Sequence, residues 1–142
     1  MSYKWNTRTE LLLGAERMEY LSHCHVLVVG LGGVGAYAAE QICRAGIGHM
    51  TIVDADTVND SNINRQLPAL HSTLGMQKAE VVGQRLLDIN PRLKLTILNE
   101  FLRDERTEEV LSAQKYDFIV DAIDSLSPKA YLLYHAYRRE IP

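Results

Sequence analysis

Four polar residues crowd the stretch SNINRQLPAL, residues 61–70: Asn62, Asn64, Arg65 and Gln66. Arginine offers a planar fork of N–H donors matched to phosphate oxygens, and the amides add neutral donors. Lys78 follows in the first turn of a helical pattern. A cation there faces the positive end of the helix dipole, which costs about 0.3–1 kcal/mol unless an anion offsets it. A triphosphate is such an anion. Asp124 comes after a late apolar segment. Ser127-Pro128 reads as the start of the next helix, so this carboxylate is not spent as its cap. A carboxylate beside phosphates suits a Mg²⁺ ligand. Asp121 sits nearer the strand end and reads as structural. Each residue also has an ordinary reading, with Arg65 and Lys78 solvated and the loop simply polar.

The cradle for such an anion is VLVVGLGGVGAYAAE. Gly30, Gly32 and Gly35 fit GxGxxG, and Gly33 makes it GxGGxG. The motif follows an apolar run and opens a helix, whose free N–H groups and dipole favour an anion. Asp54 stands nineteen residues after Gly35, where a carboxylate accepts hydrogen bonds from a ribose diol. Asp56 either caps the turn over 57–64 or joins the site. No GxxxxGK[ST] occurs, so this is not a P-loop. Two cations, neutral donors and a metal-seeking acid around one cradle point to ATP with Mg²⁺ rather than a redox dinucleotide. They suit ATP cleavage, in which charge develops on the phosphates.

These residues must be positioned by alternating strands and helices. Strands are expected over 26–29, 50–56, 93–98 and 117–123, and helices over 34–45, 75–90, 103–113 and 128–139, the last capped by Ser127. The alternating pattern of 93–98 places it near a sheet edge. This is an α/β pattern, a Rossmann-like doubly wound parallel sheet with strand order 3-2-1-4. Residues 1–24 read as an amphipathic helical arm with Leu11, Leu12, Ala15, Met18 and Leu21 on one side, and 25–142 as the ATP-binding domain. The chain stops at REIP, where a fifth strand is expected, so the other half of the parent protein is expected beyond it.

Composition is that of an ordinary globular domain, 46% hydrophobic and 23% charged over 142 residues. The net charge of −3 gives no bulk signal for nucleic acid. Cys24 and Cys43 form no CxxC pair. In His23-Cys24-His25 neighbouring side chains point to opposite faces and cannot easily share one ion. No run suits a signal peptide or membrane span, so a cytoplasmic location is expected.

The segments VLVVGLGGVGAYAAEQICRAGIGHMTIVDADTV, SNINRQLPAL, GMQKAEV and DAIDS together resemble the ubiquitin-activating-enzyme-like superfamily that includes ThiF and MoeB. The resemblance implies an enzyme that uses ATP and Mg²⁺ to transfer AMP to a carboxylate. It places Gly33 in the phosphate loop, Asp54 on the ribose, and Asn62, Arg65, Gln66 and Lys78 on the phosphates. Asp124 would hold Mg²⁺ and be needed for catalysis. In related homodimers an arginine of the arm reaches the other subunit's ATP; Arg8, six residues before Gly14, matches that pattern, and otherwise is a surface residue. NRQLPAL, RLLDINP and DAIDSLSPKAYL are most similar to the bacterial tRNA threonylcarbamoyladenosine dehydratases, which implies a tRNA substrate. The alternative is an activator of a ubiquitin-like sulfur-carrier protein with a sulfur-relay partner. Its zinc and catalytic cysteines would lie past residue 142. An NAD-dependent oxidoreductase and a non-catalytic nucleotide sensor are the competing readings from other classes.

Overall fold

The computed structural model describes residues 4–142. Four parallel strands form one sheet: β1 (His25–Val29), β2 (His49–Val53), β3 (Lys94–Leu98) and β4 (Phe118–Asp121), in the order β3-β2-β1-β4. This is the expected order 3-2-1-4 of a Rossmann-like fold. β1 is buried along its whole length, as a central strand covered on both faces must be. β3 lies at one edge, where Lys94 and Thr96 are exposed between half-buried Leu95 and Ile97, so the alternation in its sequence is the edge signature. On the other edge the Ile119 N–H donates to the carbonyl of Pro142 at 2.8 Å.

Helices α3 (Gly35–Ala45) and α4 (Lys78–Ile89) cover one face. Ala36, Ala39 and Cys43 of α3 and Ala79, Val82 and Leu86 of α4 bury against Val26, Val28, Met50 and Ile52. Helices α5 (Asp104–Ala113) and α6 (Leu126–Arg138) cover the other, where Val110, Leu111 and Leu132 meet Leu27, Val29 and Val53. Successive β residues face opposite sides, so the even and odd positions of β1 serve the two layers.

Several expectations need correction. β2 ends at Val53 rather than 56, and β4 at Asp121 rather than 123. Helix α4 starts at Lys78, not residue 75. Residues 75–77 instead pair with 56–58: Thr57 bridges Gln77, and the Lys78 N–H donates to the Asp56 carbonyl at 2.9 Å. Helix α6 starts at Leu126 with Ser125 at its N-cap position, so Ser127 lies within the first turn. The arm is not one helix. It divides at Gly14 (φ 85°) into α1 (Thr7–Leu13) and α2 (Ala15–His23). The break separates the apolar stripe: Leu11 and Leu12 are 79% and 82% exposed, while Leu21 packs on the core.

Candidate functional site

Strand order reverses between β1 and β4, and two loops meet there at the carboxyl end of the sheet. They interlock closely. The Ala122 N–H donates to the Val29 carbonyl at 2.9 Å. Gly30 has φ 91°, and a Cβ on it would press on the Ala122 carbonyl oxygen. A Cβ on Gly35 would overlap the Gly30 carbonyl oxygen and crowd the Ala122 methyl. The glycines therefore do two things: they turn the chain, and they let the β4 loop seat against it. Gly32 and Gly33 face the crossover loop, beside the Gln66 carboxamide and the Arg65 stem respectively.

A cavity of about 320 Å³ opens from this junction across the ends of β1, β2 and β3. Gly30, Gly32, Asp54, Asp56, Gln66, Lys78 and Asp124 line it. Asp54 is held from two sides: Oδ2 accepts the Leu31 N–H and Oδ1 the Asp56 N–H, each at 2.7 Å. Each oxygen accepts more than one hydrogen bond, so the fixed carboxylate can still take a hydroxyl pair. Asp56 does not cap the following turn; Asn59 occupies that cap position. The Asp56 carboxylate stands 3.7 Å from the Lys78 ammonium.

Lys78 is only 5% exposed, and among the described residues its one ion pair is long, which compensates its buried charge weakly. Gln66 is also buried, and its Oε1 has no hydrogen-bond partner among the described residues. The two groups ask for different partners, a hydroxyl or other donor for the Gln66 oxygen and an anion for Lys78. Arg65 is exposed and lies outside the cavity lining, against the glycine turn, with its guanidinium resting on the Ser61 carbonyl and Asn64 Oδ1. Asn62 is buried and turned onto its own loop, where Oδ1 accepts the Asn59 N–H at 3.0 Å. It shapes the segment that presents Arg65 and Gln66.

Asp124 is exposed and lines the cavity. Asp121 is committed elsewhere, to the Lys129 ammonium at 2.6 Å and the Ile123 N–H at 3.1 Å. Asp124 makes no hydrogen bond or ion pair among the described residues, so its carboxylate is open to a cation. As a hard oxygen donor beside a polyphosphate cradle it fits Mg²⁺, which is often bound by one or two carboxylates plus phosphate oxygens. Arg8 is exposed on α1, and the arm packs at the opposite end of the sheet, where the Gly48 N–H bonds the Leu21 carbonyl. It is therefore not part of the cavity of its own chain.

Phe101 and Arg103 went unread in the sequence. Both line the cavity beyond β3, with the guanidinium 5.6 Å from the ring centroid. A nucleotide with its phosphates at the β1 turn and its ribose at β2 would bring its base toward this third loop. The only signal in the sequence was position, the first residues after an edge strand, because no motif marks them.

The chain belongs to the ThiF family, which it matches over residues 3–142. It is 39% identical to the tRNA threonylcarbamoyladenosine dehydratase of Escherichia coli K12 over all of its length and 54% of that protein. It is 34% identical to the molybdopterin-synthase adenylyltransferase of Salmonella typhimurium, over 89% of this chain and 50% of that one. The crystal structure of the E. coli dehydratase in complex with ATP superposes with a TM-score of 0.95 at 38% identity, covering 98% of this chain and 57% of that one. The chain spans about half the length of the curated relatives it matches.

Proposed function

We propose that this chain is the nucleotide-binding half of an ATP-dependent tRNA threonylcarbamoyladenosine dehydratase. The observation that carries the reading is the meeting of Lys78, the orphan Gln66 Oε1, Asp54 and Asp124 on one cavity beside the glycine turn. The 39% identity to the E. coli dehydratase supports the substrate class.

In this reading Asp54 orients the ribose, and the N–H groups opening α3 face the phosphates. Lys78 and Arg65 draw charge from the phosphate oxygens, and Asp124 holds Mg²⁺. When bound, Mg²⁺ supplies further neutralisation of that charge. The threonyl carboxylate of the modified adenosine attacks a phosphorus of ATP and displaces pyrophosphate or ADP, so one carboxylate oxygen becomes part of a phosphate-linked leaving group. A neighbouring nitrogen of the same substrate then attacks the acyl carbon, loses its proton, closes a ring and expels AMP or phosphate carrying that oxygen; the substrate has lost the elements of water, and ATP has been cleaved. Burial of Lys78 strengthens its pull on the charge that develops during displacement. The site would act in the cytoplasm, where tRNA is modified.

The protein works as a homodimer in this account, with Arg8 reaching the partner's nucleotide. Support comes from Leu11 and Leu12, whose exposed apolar side chains adjoin Arg8, and from the arm's distance from the cavity of its own chain. Mixing Arg8→Ala and Asp124→Asn proteins would then restore activity through one intact hybrid site. No restoration on mixing would place Arg8 outside the site.

The alternative, adenylylation of a sulfur-carrier C-terminus with a sulfur-relay partner, is favoured by the similarity to the Salmonella adenylyltransferase. Stimulation of ATP cleavage decides between them. The dehydratase reading expects stimulation by threonylcarbamoyladenosine-bearing tRNA; stimulation only by a carrier ending in Gly-Gly overturns it.

A further inference from the structure

Lys129 stands in the first turn of α6, beside the loop that carries Asp124. Its ammonium donates to Asp121 Oδ2 at 2.6 Å, and Asp121 Oδ1 accepts the Ile123 N–H at 3.1 Å. One carboxylate thus ties the first turn of α6 to the backbone one residue before Asp124. Neither Lys129 nor Asp121 lines the cavity, so neither is placed to touch a nucleotide, whereas Ala122, Ile123, Asp124 and Ser125 all line it. Asp121 is 12% exposed at its side chain and Lys129 33%, so the pair is sheltered from competing water.

Asp124 itself lies between two elements that could move apart. Before it, β4 ends at Asp121; after it, α6 begins at Leu126. The cap residue Ser125 makes no side-chain hydrogen bond to the helix, so the usual lock on such a junction is missing. The Lys129–Asp121 bridge spans the same four-residue gap and replaces that lock. The Ala122 N–H bond to Val29 holds the other side of the loop to β1.

We infer that the Asp121–Lys129 pair fixes where the Asp124 carboxylate stands relative to the glycine turn, and so sets the affinity for the metal ion and not the affinity for ATP itself. This rests on the reading of Asp124 as the Mg²⁺ ligand. Partners that orient a metal ligand from outside the coordination shell typically change metal affinity by about 10–100-fold when removed.

The test is ATP binding by the full-length protein, measured by calorimetry with and without Mg²⁺, together with thermal melting. Lys129→Met is expected to raise the Mg²⁺ concentration that half-saturates the complex about tenfold. Metal-free ATP binding should stay near wild type, while the melting temperature falls modestly because Asp121 loses its partner. Lys129→Arg should restore the metal response, because a guanidinium can reach the same carboxylate. Asp121→Asn combined with Lys129→Met should be no worse than either alone, since the two act as one device. A Lys129→Met protein with the wild-type metal response would overturn the inference, and so would equal loss of metal-free and metal-dependent binding, which marks a simple fold clamp. Wild-type binding indifferent to Mg²⁺ would instead remove the reading of Asp124, and this inference with it.

Discussion

The Leu31 amide donates to Asp54 Oδ2 at 2.7 Å, joining the glycine turn after β1 to the acid at the end of β2. The residue assigned to the ribose is therefore tied to the loop assigned to the phosphates, so the ribose and the phosphates of a nucleotide would meet one rigid frame. Preset geometry of this kind lowers the ordering cost of binding.

Gly35→Ala tests how tightly that frame is built. Its added methyl would overlap the Gly30 carbonyl oxygen and meet the Ala122 methyl. Backbone cannot rotate away as a side chain can, so overpacking should cost about 2–3 kcal/mol. A urea melt checks this, and nucleotide binding should fall with it. Unchanged stability would mean that the two loops are free to separate.

Lys78→Met separates binding from stability. Among the described residues the buried ammonium has one partner, Asp56 at 3.7 Å with its carboxylate half exposed. An apolar side chain of similar length removes an ill-compensated buried charge, so stability without ligand should hold or rise. The Kd for ATP should rise at least about tenfold, since a desolvated cation facing phosphate is lost. A large fall in stability with unchanged ATP binding would make Lys78 a structural residue.

Glu40 gives the expected acid sensitivity. It is buried on α3 and bonded by Arg85 and Arg44, bridging α3 to α4. The hydrogen bond from Arg85, aided by Arg44, holds its carboxyl below the ordinary value of 4.5. The unfolded chain thus takes up this proton at higher pH than the folded one. The contribution is complete above the ordinary carboxylate value and is lost as pH falls through it toward the folded value. Urea midpoints between pH 7 and pH 3 should show Glu40→Gln with a flatter acid limb than wild type. Identical limbs would contradict the assignment.

Much of this architecture was legible because its signals are local. The apolar run before Gly30, the helical spacing after it and the edge alternation of β3 each report the burial of a single element, and right-handed crossovers then leave few strand orders. What was hidden depends on pairing between distant residues. Residues 75–77 have a helical pattern, yet 56–58 claim their backbone groups. The orphan state of Gln66 and the commitment of Asp121 to Lys129 need coordinates, as does the turning of Asn62 onto its own loop. Phe101 and Arg103 were missed because residues that line a cavity just past an edge strand follow no fixed spacing.

The two thiols should be inert in the native protein. Burial pushes the Cys43 thiol up to about 11, and burial also raises Cys24. Thiolate is the reactive form, so an aromatic disulfide reagent at pH 8 should label neither until urea unfolds the chain. Rapid labelling under native conditions would show that the α3–α4 layer opens.

The central claim is that Asp124 serves catalysis and not the fold. The direct measurement is ATP turnover by the full-length protein with threonylcarbamoyladenosine-bearing tRNA, comparing wild type with Asp124→Asn. The account expects turnover to fall by about a hundredfold or more, as when other groups that stabilise transition-state charge are removed. Melting temperature and metal-free ATP binding should be unchanged. Turnover at the wild-type level in the folded variant would contradict it.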